Sequence, residues 1–225
     1  MSNQSALWEQ IYSQGDMLNR APYDAVVSFL GRHTPKDRPR HDMHILELGC
    51  GAGNNLRFAA HEGYAVTGID ISQIAIEYAK DQFENEGLNG EFLVGDFSTI
   101  AKINKKFDFI IERGALTCVP LQQAKDVIDL LPPIMKRDAQ MLFCPYSDRH
   151  SLFASGKHAE NGMTLNSTGL GYDSLYFYNK REIHELFKGG FIIESLVHSE
   201  KTEMIAGTYH TTAEWIVVVK KMVTQ

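Results

Sequence analysis

The feature that leaves this chain fewest folding options is a glycine-rich turn set directly behind a strand. Met43-His44-Ile45-Leu46-Glu47-Leu48 runs straight into Gly49-Cys50-Gly51-Ala52-Gly53. A short run of mostly apolar residues without proline reads as a strand, and the turn marks its end. Glycines at alternate positions free the backbone to take positive φ and to lie close against a ligand. Asn54 to His61, with Leu56, Phe58 and Ala59, then reads as a helix that stops at Gly63.

The same alternation repeats downstream. Ala65 to Ile69 reads as a strand, Ser72 as the cap of a helix reaching Asn85, Glu91 to Val94 as a third strand and Phe107 to Ile111 as a fourth. Leu121 to Leu131 reads as a helix, Ala139 to Cys144 as a fifth strand and Lys180 to Phe187 as a helix. Phe191 to Val197 and Glu214 to Lys220 read as the last two strands. Strands alternating with helices imply an α/β fold with helices on both sides of a mainly parallel sheet. Ahead of the core, Trp8 to Tyr12 and Asp24 to Leu30 carry helical patterns. Tyr146 to Tyr178 breaks the rhythm and is too long for an ordinary connector. Its aromatic residues Phe153, Tyr172, Tyr176, Phe177 and Tyr178 point to an ordered lid.

Three chemical pieces stand at successive strand ends, where open α/β sheets bind their ligands. The first is the glycine turn, introduced by Glu47. The second is Asp70, whose carboxylate can accept both hydroxyls of a ribose. The third is Gly95-Asp96-Phe97, where Asp96 can accept from an exocyclic amine and Phe97 can lie against a purine. A dinucleotide fingerprint would need Gly-x-Gly-x-x-Gly. Counted from Gly49 and Gly51, its third glycine falls on Asn54.

Together the three pieces resemble the class I S-adenosylmethionine-dependent methyltransferases over Met43 to Cys144, with a looser fit to the end. The resemblance implies a Rossmann-like three-layer sandwich around a mostly parallel seven-stranded sheet with an antiparallel last strand. It implies S-adenosylmethionine as cofactor and S-adenosylhomocysteine as its product. Gly49, Cys50, Gly51 and Gly53 would wrap the methionine part, with Glu47 positioning the loop and the amino group. Asp70 and Ile71 would hold the ribose, and Asp96 and Phe97 the adenine. In similar enzymes an N-terminal helix closes over the cofactor. Trp8, Tyr12 and Tyr23 are the aromatic residues for such a lid, since rings suit a sulfonium.

Residues after the fourth strand sit near the transferable methyl group in this family. Here they are Glu112-Arg113-Gly114-Ala115-Leu116. The Arg-Gly-Ala-Leu run is similar to that of thiopurine-type enzymes, with Glu112 where those have Asp. Asn-Pro-Pro-Tyr, found in many amino-group methyltransferases, is absent there. Methyl transfer needs alignment above all, and a base only where the nucleophile keeps its proton until late. Glu112 or His150 is expected to deprotonate or orient the acceptor, with Glu112 also at the cofactor, and Arg113 to bind an anionic group. Cys50 and Cys118 have no histidine beside them in sequence and are read as non-catalytic.

Composition narrows the partners. Among 225 residues the net charge is −6, against the basic stripe a nucleic-acid binder shows. The one basic cluster, Arg32 to His41, is broken by Pro35 and Pro39 and reads as a solvated linker. Cys50, Cys118 and Cys144 show neither a disulfide framework nor a zinc spacing, so free thiols and no metal are expected. No segment has the apolar length of a membrane span, and the first residues do not read as a signal peptide. A cytoplasmic enzyme is expected, monomer or homodimer, acting on a small-molecule acceptor without nucleic acid or membrane. The expected layout is one domain, 1–225, with a helical lid and linker (1–42), a cofactor core (43–145), a substrate-side insert (146–178) and a C-terminal helix and strands (179–225). Two further readings are a thiol- or chalcogen-directed enzyme and a cofactor-binding regulatory or partner protein without catalysis.

Overall fold

The computed structural model describes residues 3–165, 174–205 and 207–222. Tyr172, counted above among the lid aromatics, lies outside them. Contacts group the chain into two units. One holds the chain through Ile111 together with Pro133–Ala139, the other Glu112–Pro132 together with the chain from Gln140.

The first unit begins with α1 (Asn3–Ser13) and α2 (Asp24–His33), then alternates: β1 (His44–Leu48), α3 (Asn54–His61), β2 (Ala65–Asp70), α4 (Gln73–Asn85), β3 (Glu91–Val94) and β4 (Phe107–Glu112) up to Ile111. β1 and β2 are parallel and in register from His44 against Ala65 to Leu48 against Ile69. β2 and β3 continue in parallel from Thr67 against Glu91 to Asp70 against Val94. Parallel strands in register end at one edge, so the glycine turn, Asp70 and Gly95-Asp96 share it. Ile45, Leu46, Leu48, Leu56, Ile69 and Ile76 are fully buried, each contributing about 1.5–3 kcal/mol by leaving water. Gly68 of β2 has no room for a side chain: a Cβ there would lie 2.6 Å from Cys50 Sγ. The cysteine is therefore packed against the sheet.

One expectation is corrected in this unit. The basic segment before β1 is not merely a solvated linker. Asp108, buried on β4, accepts from Arg38 at 2.5 Å, from Lys136 Nζ at 2.7 Å and from the His44 N–H at 2.8 Å. Arg40 pairs with Glu62 and stacks its guanidinium over Tyr64 at 5.5 Å. A carboxylate taken out of water needs such partners, and these cations hold the Asp108 carboxyl below its ordinary range against the opposing effect of burial.

The second unit carries α5 (Leu121–Asp129), the later part of β5 (Met135–Phe143), α6 (Ser151–Ser155), the short strands β6 (Lys157–His158), β7 (Thr164–Leu165) and β8 (Ser174–Leu175), α7 (Lys180–Leu186), β9 (Phe191–Ile205) and β10 (Thr208–Lys221). Asn179 and Glu182 close a reciprocal capping box on α7. β10 runs antiparallel to β5 on one side and to β9 on the other. The sheet order is β3-β2-β1-β4-β5-β10-β9, which is the seven-stranded sheet with a reversed last strand expected from the sequence. The hairpin is longer than its sequence pattern suggests, with Gly207 at φ +91° beside the bend. Met204, Ile205 and Tyr209 are exposed near its end. Among the described residues no helix is long and apolar enough to cross a membrane.

Candidate active site

The glycine turn takes the shape its sequence allows. Gly49, Gly51 and Gly53 have φ of +65°, +51° and +76°, a region that costs other residues roughly 1–2 kcal/mol each. Asp70, buried at the end of β2, ties this turn to the next helix. Its Oδ2 accepts from the Gly51 N–H at 2.8 Å and its Oδ1 from the Ser72 N–H at 2.9 Å. Burial pushes its carboxyl up from the ordinary value, while those N–H groups pull it down. Each carboxylate oxygen retains capacity to accept again.

Glu47, buried on β1, accepts from Asn55 Nδ2 at 2.6 Å. Asn55 Oδ1 takes the Tyr23 N–H at 3.0 Å, and Asn54 Nδ2 donates to the Ala21 carbonyl at 2.7 Å. The segment before α2 is thereby clamped to the start of α3, and Asn54 has a use no glycine could serve. Asp96 is exposed and caps the 3-10 turn Phe97–Lys102 by accepting from the Ser98 N–H at 2.9 Å. Phe97 and Ile71 are half-buried. Cys50 is buried, its thiol pushed up first by burial and then by Asp70 and Glu47. It remains a thiol at neutral pH and meets the turn through its backbone.

The first helix reaches this turn. Tyr12 is buried, its ring tilted against that of Trp8 at 5.9 Å between centroids. A Cβ built on Gly51 would lie 2.6 Å from the Tyr12 hydroxyl, so the tyrosine stands directly on the turn. Glu9, one turn of helix earlier, accepts at the start of α4 from Ser72 Oγ at 2.9 Å, from the Gln73 N–H at 2.7 Å and from the Ile74 N–H at 3.2 Å. Nothing in the sequence motifs marks Glu9, Asn54 or Asn55 for these contacts. Only the two asparagines carried a local signal, as short polar residues opening a helix.

The second unit holds the residues expected at the acceptor. Glu112 is fully buried. Its Oε1 accepts from the Leu116 N–H at 2.7 Å, and its Oε2 has no hydrogen-bond partner among the described residues. Burial raises its carboxyl to about 7, overcoming the Leu116 N–H, the Arg113 charge and the Gly114 and Ala115 N–H groups. Arg113 pairs with Glu214 at 3.0 Å, both side chains largely covered. His150 is buried among Tyr146, Phe177 and His210 with centroids 4.9–5.5 Å away. Its Nδ1 accepts from the Leu152 N–H at 3.1 Å and caps α6. Burial, helped by His210, lowers it to about 4. His150 is thus a neutral imidazole whose proton sits on Nε2, placed to donate rather than to accept.

Tyr176 and Tyr178 of the insert are framework. Tyr178 is fully buried and donates to the Leu116 carbonyl at 2.9 Å, while Trp215 Nε1 donates to the Tyr178 carbonyl at 2.8 Å. Tyr176 Oη donates to Glu182 at 2.9 Å. These bonds fix the turn that follows Glu112.

The donor set at the β1, β2 and β3 ends fits a nucleoside with an amino-acid tail. The glycine turn leaves backbone exposed to the tail, Asp70 offers acceptors to paired hydroxyls, and Asp96 offers one to an amine. Comparison with known proteins agrees. Residues 45–137 match the family model of a methyltransferase domain. The chain is 31% identical over 104 residues to an uncharacterized methyltransferase of Schizosaccharomyces pombe, covering 46% of this chain and 72% of that one. It is similar in fold to a SAM-dependent methyltransferase from Methanosarcina mazei, at TM-score 0.69 and 21% identity over 91% of this chain and 100% of that one. It is also similar in fold to the magnesium protoporphyrin IX methyltransferase of Synechocystis PCC 6803 with bound SAH. There the TM-score is 0.62 and the identity 18%, over 98% and 95% of the two chains.

Proposed function

The chain belongs to the class I S-adenosylmethionine-dependent methyltransferases, and on that premise we propose that it methylates an oxygen, nitrogen or sulfur atom of a small-molecule acceptor. When bound, S-adenosylmethionine supplies a methyl carbon already activated by the positive charge on sulfur. The glycine turn, Glu47, Asp70 and Asp96 hold that cofactor by its tail, ribose and base. What the chain must add is alignment of the acceptor and a destination for its proton.

Glu112 is the observation that carries the acceptor side. A carboxyl at about 7, one buried oxygen of which has no hydrogen-bond partner among the described residues, takes and releases a proton at neutral pH, as a general base should. Phenols, amines and thiols all have a proton to give. Arg113 acts through Glu214, neutralising a largely covered carboxylate and keeping the strand end in place. His150 donates from Nε2 to a lone pair on the acceptor. The small net negative charge of the chain also suits a compact acceptor better than a polyanion.

The test is release of S-adenosylhomocysteine by purified protein given the methyl donor and a panel of phenols, amines, thiols and selenols. Turnover on one class, reduced at least ten-fold by Glu112→Gln, supports the proposal. Turnover confined to thiols and selenols selects the thiol-directed reading. Tight binding of the donor with no turnover on any acceptor overturns the catalytic reading in favour of a regulatory one.

A further inference from the structure

The contact between α1 and α4 is built around one side chain that neither the family reading nor the sequence pattern assigns. A helix begins with backbone N–H groups that have no partner inside it. At the start of α4 all of these are taken up. Ser72, the cap, receives the Ala75 N–H at 3.1 Å. The Gln73 and Ile74 N–H groups go to the two oxygens of Glu9, and Ser72 Oγ donates to Glu9 as well. A carboxylate from a distant helix thus completes the cap and sets its charge against the positive end of the helix dipole.

Two more observations connect this latch to the ligand edge. The same turn of α4 supplies the Ser72 N–H that orients Asp70, so Glu9 and Asp70 grip one piece of backbone. Three residues on from Glu9, the Tyr12 hydroxyl stands on Gly51, whose N–H orients the other oxygen of Asp70.

We infer that Glu9 is a positioning residue for the methyl donor: seated on the start of α4, it holds α1 so that Trp8 and Tyr12 cover the turn and Asp70 keeps its orientation. This rests on the reading of that edge as the S-adenosylmethionine site. Binding of the cofactor and docking of α1 are then coupled, each favouring the other. Loss of such a cap weakens the docking equilibrium about ten-fold, and the apparent affinity falls with the docked population by up to that factor.

The experiment compares the intact protein with Glu9→Ala and Glu9→Gln, using S-adenosylhomocysteine as probe. Calorimetric titration is run at a temperature where all three are folded. Hydrogen exchange of residues 3–13 is followed with and without the probe. The expected result is a dissociation constant raised several-fold, up to about ten-fold, in Glu9→Ala and less in Glu9→Gln, which keeps one acceptor oxygen. Exchange should quicken in residues 3–13 already without the probe, while β1 and β2 stay protected. A merely structural role would lower the melting temperature and leave the titration unmoved. Glu9→Ala binding the probe within two-fold of the intact protein overturns the inference, as does unchanged exchange in residues 3–13. An intact protein that ignores the probe overturns the cofactor site itself, and the inference falls with it.

Discussion

Glu112→Gln should make the protein more stable, and by an amount that grows with pH. A carboxyl held at about 7 in the folded state and at 4.5 when unfolded differs by about 3 kcal/mol at roughly 1.4 kcal/mol per pH unit. Below the unfolded value the group is protonated in both states and nothing is lost. As pH rises from 4.5 toward 7, the unfolded chain ionises while the buried group resists, so unfolding gains. Above 7 the loss is complete. Glutamine keeps the Oε1 acceptor for the Leu116 N–H and has no proton to lose. The difference in stability between variant and parent should therefore widen by about 2–3 kcal/mol between pH 5 and pH 8. For a chain of this length that is roughly 5–10 °C in melting temperature. Comparing the two proteins at each pH cancels His150 and Asp70, whose own shifts are common to both. Thermal melts in buffers from pH 5 to 8 measure the gap. A gap that stays constant would mean that Glu112 is ionised throughout, and the argument from its burial would be refuted.

Three further outcomes are expected. S-adenosylhomocysteine at 100 times its dissociation constant should stabilise the parent by about 2.7 kcal/mol, a shift of several degrees. Asp70→Ala should abolish most of that shift, and retention of the full shift would remove Asp70 from the ribose. Gly51→Ala should destabilise through its positive φ and its collision with Tyr12, and adding Tyr12→Phe should restore part of the loss; an additive double variant in thermal melts would show that the hydroxyl is not in the way. Arg113→Ala should cost about 3 kcal/mol by leaving Glu214 without its counter-charge, and Arg113→Ala with Glu214→Gln should cost less than Arg113→Ala alone. Equal losses in the two would argue against the pair.

What the sequence disclosed, and what it hid, follows from the range of each interaction. The strands of the first unit are short apolar runs closed by glycine or aspartate, so β1, β2 and β3 could be placed nearly to the residue. β5 begins earlier than its apolar run because Lys136, Arg137 and Asp138 belong to it, and charged residues give no strand signal. β9 extends through Ser199-Glu200-Lys201-Thr202-Glu203, where nothing is buried and no alternation survives, and β10 already begins at Thr208 opposite it. Glycine positions were legible because φ is a local property. Glu9 was not, since its partners lie some sixty residues away and any surface helix carries glutamates. The state of Glu112 was hidden for a similar reason: its identity was visible, but burial is decided by the sheet around it. Arg113 looked available for an anion until the fold brought Glu214 to it.

The placement of β10 has a bearing on how the molecule can be made. It lies between β5 and β9, so the earlier-synthesised β9 has no edge to join until the later strand has slotted in. A nascent chain that has released β9 from the ribosome holds it as an unpaired ribbon, its backbone N–H and C=O groups open along the edge that β10 later covers. Such an intermediate invites association with other chains. Production at lowered temperature or with a holding chaperone should raise the soluble yield, because the hazard lies in the interval before that strand arrives.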